Sequence, residues 1–348
     1  MTIEELEKIE RTPIMFIMGK GRSGTTLLQA ILNAHPNIVA PTESRIIIFM
    51  YAKYGHMKQW TEQLLERFCD ELYDETRFLQ NWNIDKKILM SDLLSVKGNL
   101  NYALICKIIY CRTDSSDKDI RLIFDKNPVY YFFIRELQEI FPEAKYIHIV
   151  RDYRDNIISH QRVLPFSNTA DVAYRWLKIN SYLEEQKMRS PERWFTVKYE
   201  LLAAEPMKYM AEVCDFIGMP FYENAVNDFS SKLAPVFYKN VNRKEFNKFH
   251  WNVYNPVNTS QIGQWKTVMP RGDIEIAESI DGLYGKQMYG YETSGPTKKV
   301  NSIILLRAKF LYAFKKVFLR TVLRQQLLYK SFRFLAKAFM RKSKLAGR

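Results

Sequence analysis

The apolar positions of this chain form short unbroken runs that alternate with stretches of helical spacing. Residues 14–18, IMFIM, and residues 146–150, YIHIV, are almost entirely apolar, and each is followed by a segment with apolar positions three and four residues apart. Runs of this kind are typical of parallel strands buried on both faces. The alternation predicts an α/β fold with a central parallel sheet of about five strands and helices on both faces.

The pattern also divides the chain by length and by charge. Residues 1–297 predict a single domain, and residues 45–120 within it predict a mostly helical insertion. Residues 298–348 hold nine lysines and six arginines but no acidic residue, whereas residues 1–297 hold 37 basic and 38 acidic residues. The net charge of +14 therefore belongs to a basic, helical C-terminal extension.

The first apolar run ends in a glycine-rich turn, GKGRSGTTLL, that opens a helix. Gly19 and Gly24 have the spacing of a phosphate-binding loop, and the free N–H groups of the helix start make an anion site. A nucleotide triphosphatase has a lysine where this chain has Thr25. We therefore expect a phosphate ligand of lower charge, held without a metal ion, although an ordinary strand–helix turn is the plain alternative.

The longer stretch GRSGTTLLQAILNAHPNI resembles the 5′-phosphosulfate loop of sulfotransferases that use 3′-phosphoadenylyl sulfate (PAPS). This resemblance implies a three-layer P-loop-type fold and PAPS as the sulfuryl donor, with no metal. It also implies that the loop wraps the 5′-phosphate of the donor, through the residues Lys20, Gly21, Arg22, Ser23, Gly24, Thr25 and Thr26.

The same family has a second site for the 3′-phosphate, made by an arginine at a strand end and a serine eight residues later. Arg151 and Ser159 stand at that spacing in KYIHIVRDYRDNIISHQRV, with Tyr153 where the family usually has proline. VKYELLAAEP, FIGMPF and the late loop SQIGQW extend the resemblance over about residues 14–290. It implies that these segments contribute further donor contacts, from Tyr199, Gln264, Trp265 and Lys266.

Sulfuryl transfer needs a base for the acceptor proton and a cation for the leaving oxygen. NAHPNIVAPTESRIIIF resembles the tyrosylprotein sulfotransferase pattern, which implies Glu43 as the base, two residues before Arg45. DKNP resembles the family loop whose lysine contacts the leaving group, which implies Lys126 as the cation, helped by Arg22. A Glu43–Arg45 pair and a surface lysine in an ordinary turn are the plain alternatives.

Cytosolic small-molecule members of the family use a histidine base instead. No histidine falls where those enzymes place theirs, and we interpret His35 and His148 as structural, with His56 and His160 as the remaining candidates. The four cysteines form no CxxC pair, so we expect reduced structural thiols. The aromatics of the insertion fit an acceptor pocket and core packing equally well: Tyr51, Tyr54, Trp60, Tyr73 and Trp82.

In the basic tail, apolar and aromatic residues recur at helical spacing between lysines and arginines. Contact with an anionic membrane surface is one interpretation, and packing on the core or in a dimer is another. Nucleic acid is not expected as a partner, because no recognition motif accompanies the tail. The polar N-terminus and the lack of a 20-residue apolar run predict a cytoplasmic protein, peripheral on the inner membrane surface if the membrane interpretation holds.

The sequence thus predicts a PAPS-dependent sulfotransferase acting on a hydroxyl or amine of a small-molecule, lipid or glycan acceptor. A P-loop small-molecule kinase is the first alternative, and magnesium-dependent ATP turnover would support it. A non-catalytic membrane-associated adaptor is the second, and the presence of Glu43 and Lys126 argues against it. No pattern in the chain indicates the acceptor or the oligomeric state.

Overall fold

The structure, a computed structural model, is built on one five-stranded parallel sheet. It describes residues 1–75, 78, 82–113, 118–236, 255–295 and 300–324. The strand order is β2-β3-β1-β4-β5. The strands are β1 Ile14–Met18, β2 Ile38–Val39, β3 Leu122–Lys126, β4 Tyr146–Val150 and β5 Trp194–Lys198. The predicted α/β class and strand number are confirmed.

Helices cover both faces of the sheet because the β1 side chains alternate between two apolar clusters. Phe16 and Met18 enter a cluster with the helices of the insertion, and Met15 and Ile17 enter the cluster on the opposite face. All five β1 residues are buried. The unbroken apolar run is thus the sequence signature of a strand covered on both sides.

Sixteen α-helices have defined bounds among the described residues. They are α1 Ile3–Arg11, α2 Thr25–Asn33, α3 Ile46–Tyr54, α4 Glu62–Tyr73, α5 Lys86–Ser95, α6 Tyr102–Cys111, α7 Ile134–Ile140, α8 Tyr153–Val163, α9 Thr169–Arg189, α10 Tyr199–Ala204, α11 Pro206–Ile217, α12 Glu223–Val236, α13 Trp265–Val268, α14 Arg271–Ala277, α15 Leu283–Tyr289 and α16 Ser302–Arg324. A π-helical turn, Glu278–Gly282, joins α14 to α15.

The sequence RLIFDKNPVYY predicts a strand over 121–124 and a helix from about Pro128, and the structure differs from both. The strand runs to Lys126, because its pairing with β1 continues to the Ile17–Lys126 register. The Asn127 side chain then donates to the Ser44 carbonyl and accepts from the Val129 N–H. The Asn127 carbonyl also accepts from the Tyr130 N–H at 3.1 Å, and a 3₁₀ turn, Tyr130–Phe132, follows, so α7 begins only at Ile134.

The aromatics of the insertion serve the core more than a pocket. Tyr54, Trp60 and Trp82 are buried, and Tyr54 stacks on Trp60 with ring centroids 6.0 Å apart. Tyr51 and Tyr73 are partly buried against the same cluster. For the three buried rings, the core-packing alternative is the correct one.

The tail begins with α16, which lies parallel to α9. Arg307 pairs with Asp171 near the start of α9 at 3.4 Å, and the rings of Tyr312 and Tyr174 meet one turn further along at 6.0 Å. Arg320 pairs with Glu136 of α7 at 2.9 Å. The tail apolar positions Leu327, Leu328, Phe332, Leu335 and Phe339 lie outside the described residues. No helix in the described part of the chain is long and apolar enough to cross a membrane.

Candidate active site

The glycine-rich turn after β1 leaves the start of α2 open to a ligand. Gly24 caps α2 in the left-handed region, with φ of 95°, and no side chain accepts from the first N–H groups of the helix. A Cβ at Gly24 would lie 2.5 Å from Cδ2 of Tyr199, so only glycine fits. The uncapped N–H groups and the positive end of the helix dipole form an anion site.

Asn156 on α8 holds the glycine-rich loop in place through three side-chain hydrogen bonds. Its amide donates to the Gly21 carbonyl at 3.1 Å and to the Ser23 hydroxyl at 3.0 Å, and it accepts from the Lys20 ammonium at 3.1 Å. Lys20 is only 4% exposed, and burial, then Arg175 and other cations, hold its pKa well below the usual value. Lys20 thus lies beneath the loop, and its predicted contact with a phosphate stays a prediction.

Arg22 bridges the loop and the second predicted phosphate site. Its backbone has a φ of 77°, a conformation that non-glycine residues rarely adopt and that is concentrated at functional sites. Its Nε donates to the Ser159 hydroxyl at 3.2 Å. Burial, with Arg151 as the next cause, lowers the pKa of the guanidinium to about 10.

Arg151 follows β4 and is held between three elements. It donates to the Arg22 carbonyl at 3.3 Å and to the Gln261 carbonyl at 2.5 Å, and its guanidinium lies 4.7 Å from the centre of the Tyr199 ring. The Nε of Arg151 is buried and has no hydrogen-bond partner among the described residues. An arginine that is fixed yet incompletely satisfied suits the binding of an oxyanion.

Glu43 and Lys126 form an ion pair at the carboxyl end of the sheet. Lys126 ends β3, Glu43 follows β2, and the Lys126 ammonium also donates to the Thr26 hydroxyl at 3.1 Å. The side chain of Lys126 is 3% exposed and that of Glu43 is 23% exposed. The carboxylate can therefore meet a ligand from solvent, while the ammonium contacts the start of α2.

A second carboxyl lies behind this pair. Asp125 precedes Lys126 in β3, is fully buried, and faces Tyr110 and Tyr130. Burial raises its pKa to about 7, and the Glu43 carboxylate acts in the same direction. The sequence gives no signal for this group, because DKNP is also an ordinary turn sequence.

The late loop is fastened to the start of α8. The Asp155 carboxylate accepts from the backbone N–H of Gly263 at 2.7 Å and of Trp265 at 3.0 Å. The Arg154 guanidinium lies 3.6 Å from the Trp265 ring centre and pairs with Glu278 at 2.8 Å. Arg154 and Asp155 thus hold the rim of the site.

The loop residues predicted to contact the donor take different places. Trp265 is buried against Arg154, Gln264 accepts from Arg162, and Lys266 is exposed to solvent. Their contacts with a donor stay predictions. Sequence reasoning did not find the roles of Asn156, Asp155 and Gln261, although RDYRDN and SQIGQW contain them.

The contacts of His148 and His35 support their interpretation as structural residues. His148 is buried, with Asn180 Oδ1 3.0 Å from its Nε2 and Glu184 3.3 Å from its Nδ1. His35 contacts the Pro220 carbonyl through Nε2 at 3.0 Å. Both rings thus have structural partners, and the assignment of Glu43 as the base stays a prediction.

The fold and this site define a class of protein. A phosphate loop after the first strand of a doubly wound parallel sheet, with its site at the carboxyl ends of the strands, is a P-loop-type α/β architecture. A profile of the Sulfotransferase family matches residues 13–224, which is more than half of the chain. The protein therefore belongs to the sulfotransferase family and is an enzyme of that family.

Individual relatives agree with this assignment. The chain is 26% identical over 267 residues to "Protein-tyrosine sulfotransferase 1" of Danio rerio, covering 74% of this chain and 67% of the relative. It is 25% identical over 289 residues to "Protein-tyrosine sulfotransferase" of Drosophila melanogaster, covering 80% of this chain and 52% of the relative. The match thus spans about half to two thirds of these relatives' own length.

Solved structures confirm the fold. The sulfotransferase domain of the curacin biosynthetic pathway superposes with a TM-score of 0.53 at 21% identity, covering 79% of this chain and 98% of that domain. The sulfotransferase domain of the Synechococcus PCC 7002 olefin synthase gives 0.51 at 23% identity, covering 77% and 94%. At these identities the likeness concerns the fold alone.

Proposed function

We propose that this enzyme transfers a sulfuryl group from PAPS to a hydroxyl or amine of an acceptor, with Glu43 as the base. The observation that carries the proposal is the meeting of three groups at one edge of the sheet. These are the uncapped start of α2, the Arg22–Ser159–Arg151 cluster, and the Glu43–Lys126 pair. The family membership supports the reaction class.

The residues present fit the donor. The free N–H groups of α2 suit a 5′-phosphate, and the unsatisfied Nε of Arg151 suits a 3′-phosphate. Ser23, Thr25 and Thr26 add hydroxyls beside the loop in place of a lysine and a metal. When bound, PAPS supplies the sulfuryl group and a phosphate oxygen that leaves with the bonding electrons.

The protein's own part is to position the partners and to balance charge. Glu43 takes the proton from the accepting hydroxyl or amine, since its carboxylate is the exposed member of the pair. Lys126, anchored by Thr26 and supported by Arg22, neutralises the charge that develops on the leaving oxygen. If the Lys126 ammonium moved from Glu43 to the leaving oxygen, the Glu43 carboxylate would become available to act as the base.

The deciding experiment is calorimetric titration with 3′-phosphoadenosine 5′-phosphate (PAP), the desulfated donor, without magnesium. We expect wild-type protein to bind PAP and Arg151→Ala to bind it about 10-fold to 100-fold more weakly, because a charged phosphate contact is lost. Arg193→Ala, at a half-buried position before β5 and away from the loop, is the matched control. No PAP binding, or a preference for magnesium–ATP, would overturn the proposal and favour a kinase.

For the acceptor we propose a lipid or glycan at an anionic membrane surface. The support is the outward face of α16, where Ile303, Leu306, Phe310, Phe314 and Val317 are 59–75% exposed. The lysines at 309 and 316 flank this stripe, and residues 298–348 hold no acidic residue. The names of the curated relatives make a tyrosyl peptide the second candidate acceptor.

A further inference from the structure

Two cations beside the phosphate loop, Arg175 and Lys315, have no part in the transfer described above. Arg175 on α9 donates through Nη2 to Nε2 of His160 on α8 at 3.3 Å, which requires a neutral imidazole. Burial, then the charges of Lys20, Arg175, Lys315 and Arg22, lower the pKa of His160 to about 2. The rings of Tyr174 on α9 and Tyr312 on α16 lie 6.0 Å apart, which sets Arg175 and Lys315 on facing stretches of these two helices. Residues from the loop, α8, α9 and α16 thus converge here.

Arg175 and Lys315 form no ion pair among the residues that the structure describes. Arg175 Nε donates to the backbone carbonyl of Asp171 at 3.0 Å, and the Asp171 carboxylate, which pairs with Arg307, is the acidic group that acts on Arg175. By contrast, two arginines on the same helix as Lys315 do form ion pairs: Arg307 and Arg320 each pair with a carboxylate. Lys315 therefore differs from the arginines that fasten α16 to the domain.

The electrostatics of the cluster favour a bound anion. Desolvation of the Lys315 ammonium, and then the charge of Arg175, lower the pKa of Lys315 to about 8, although the side chain as a whole is exposed to solvent. Like charges held close together repel, and an anion between them would relieve that repulsion. Since Lys315 is exposed and Arg175 is half-buried, an anion can enter from solvent.

The cluster adjoins the proposed transfer site. His160 directly follows Ser159, whose hydroxyl accepts from Arg22. We propose that Arg175 and Lys315 bind an anionic group, a carboxylate, sulfate or phosphate, carried by the acceptor beside the hydroxyl or amine that receives the sulfuryl group. This inference rests on the proposed function. Lys315 lies outside the family match at 13–224, so the contact belongs to the C-terminal extension of this chain.

Competitive labelling of lysines tests the inference without an assay of activity. The full chain, saturated with PAP, is acetylated with trace acetic anhydride at pH 8 while sodium sulfate replaces sodium chloride at constant ionic strength. Mass spectrometry then follows each lysine. We expect sulfate to reduce the labelling of Lys315 at least threefold, and to change that of Lys309 and Lys316, on the same helix, less than twofold.

Variants locate the anion. Arg175→Gln should remove the sulfate protection of Lys315, whereas Lys316→Gln should leave it intact. Equal labelling of Lys315 with and without sulfate would overturn the inference, and this wild-type result does not depend on any variant folding. If PAPS without sulfate gives the same protection, the cluster holds the donor's sulfuryl group, and the assignment to the acceptor is wrong.

The two proposals can fail separately. Failure of the wild type to bind PAP overturns the proposed function. Normal PAP binding together with unprotected Lys315 overturns only the anionic acceptor group.

Discussion

Glu43, in the loop after β2, forms an ion pair with the Lys126 ammonium at the end of β3. We expect Glu43→Gln to lower the rate of sulfuryl transfer by about 10²–10⁴-fold, because the amide cannot take the acceptor proton. PAP affinity should change little, since Glu43 is assigned to the acceptor side. The measurement is conversion of PAPS to PAP with an acceptor chosen by screening phenols, sugars and lipids.

A matched control for Glu43→Gln is available within the same chain. Glu71 also pairs with a lysine, Lys53, but on the helices of the insertion. Glu71→Gln should keep the transfer rate within about twofold of wild type. An equal loss of rate in both variants, or none in Glu43→Gln, would rule out Glu43 as the base.

The buried carboxyl of Asp125 makes stability depend on pH. Its pKa is about 7 in the folded protein against 3.8 for a free side chain, so between these values the folded state holds a proton that the unfolded chain releases. The free energy of unfolding therefore falls as pH rises through this window, by at most about 1.4 kcal/mol per pH unit. We expect Asp125→Asn to lose this part of the slope in urea unfolding between pH 4.5 and 7.5.

The control for the pH dependence is Asp215→Asn, at an exposed position on α11. That variant should follow the wild-type dependence. A wild-type slope in Asp125→Asn would show that Asp125 does not cause it.

At the scale of elements, the junction of β1 and α2 depends on one glycine. Gly24→Ala would force a side chain into the left-handed region and against the Tyr199 ring. We expect a loss of about 1–3 kcal/mol in the free energy of unfolding and a clear loss of PAP affinity. Gly98→Ala, where a Cβ meets nothing within 4 Å, should have neither effect. Normal PAP binding by Gly24→Ala would show that PAP binding does not depend on this conformation of the loop.

The strands and helices next to the site could be predicted because local signals and tertiary contacts agree there. The apolar runs of β1 and β4 match the bounds in the structure, and Gly218 ends α11 with a φ of 73°. The end of β3 could not be predicted, because the polar pair Asp125–Lys126 resembles a turn. Its strand conformation comes from pairing with β1, which is a contact between distant residues.

The candidate site shows the same difference between local signals and contacts of distant residues. The resemblance nominated Arg22, Ser159, Glu43 and Lys126 one by one. The contacts of Arg22 with Ser159 and of Glu43 with Lys126 are seen only in the structure. The supporting contacts, such as Asp155 to the N–H groups of the late loop, join residues about 110 positions apart. No periodicity or spacing within a segment reports a bond between a side chain and a distant backbone.

At the scale of the whole molecule, α16 gives one side of the protein an apolar surface bordered by lysines. We expect the full chain to sediment with vesicles of anionic phospholipid at moderate salt. The double variant Phe310→Ser/Phe314→Ser, at positions 67% and 59% exposed, should bind at least 10-fold more weakly, because two aromatic anchors are lost.

Phe221→Ser is the matched control, since Phe221 is exposed after α11, on the opposite face of the sheet. It should bind vesicles as wild type does. Equal binding of wild type and the double variant would contradict membrane contact through α16. A double variant that instead changes the molecular mass in solution would identify the stripe as an interface between copies of the chain.

Phe314 and Lys315 are neighbours in sequence, yet Phe314 lies on the outer face of α16 and Lys315 acts on the loop side. Successive residues of an α-helix are turned by about 100° around its axis, so the apolar stripe and Lys315 face different directions from one short segment. A membrane surface in contact with the stripe would therefore lie beside the cations of the cleft and not over them. An acceptor group that projects from the lipid surface towards the cleft would meet these cations, and one held flush with the surface would not.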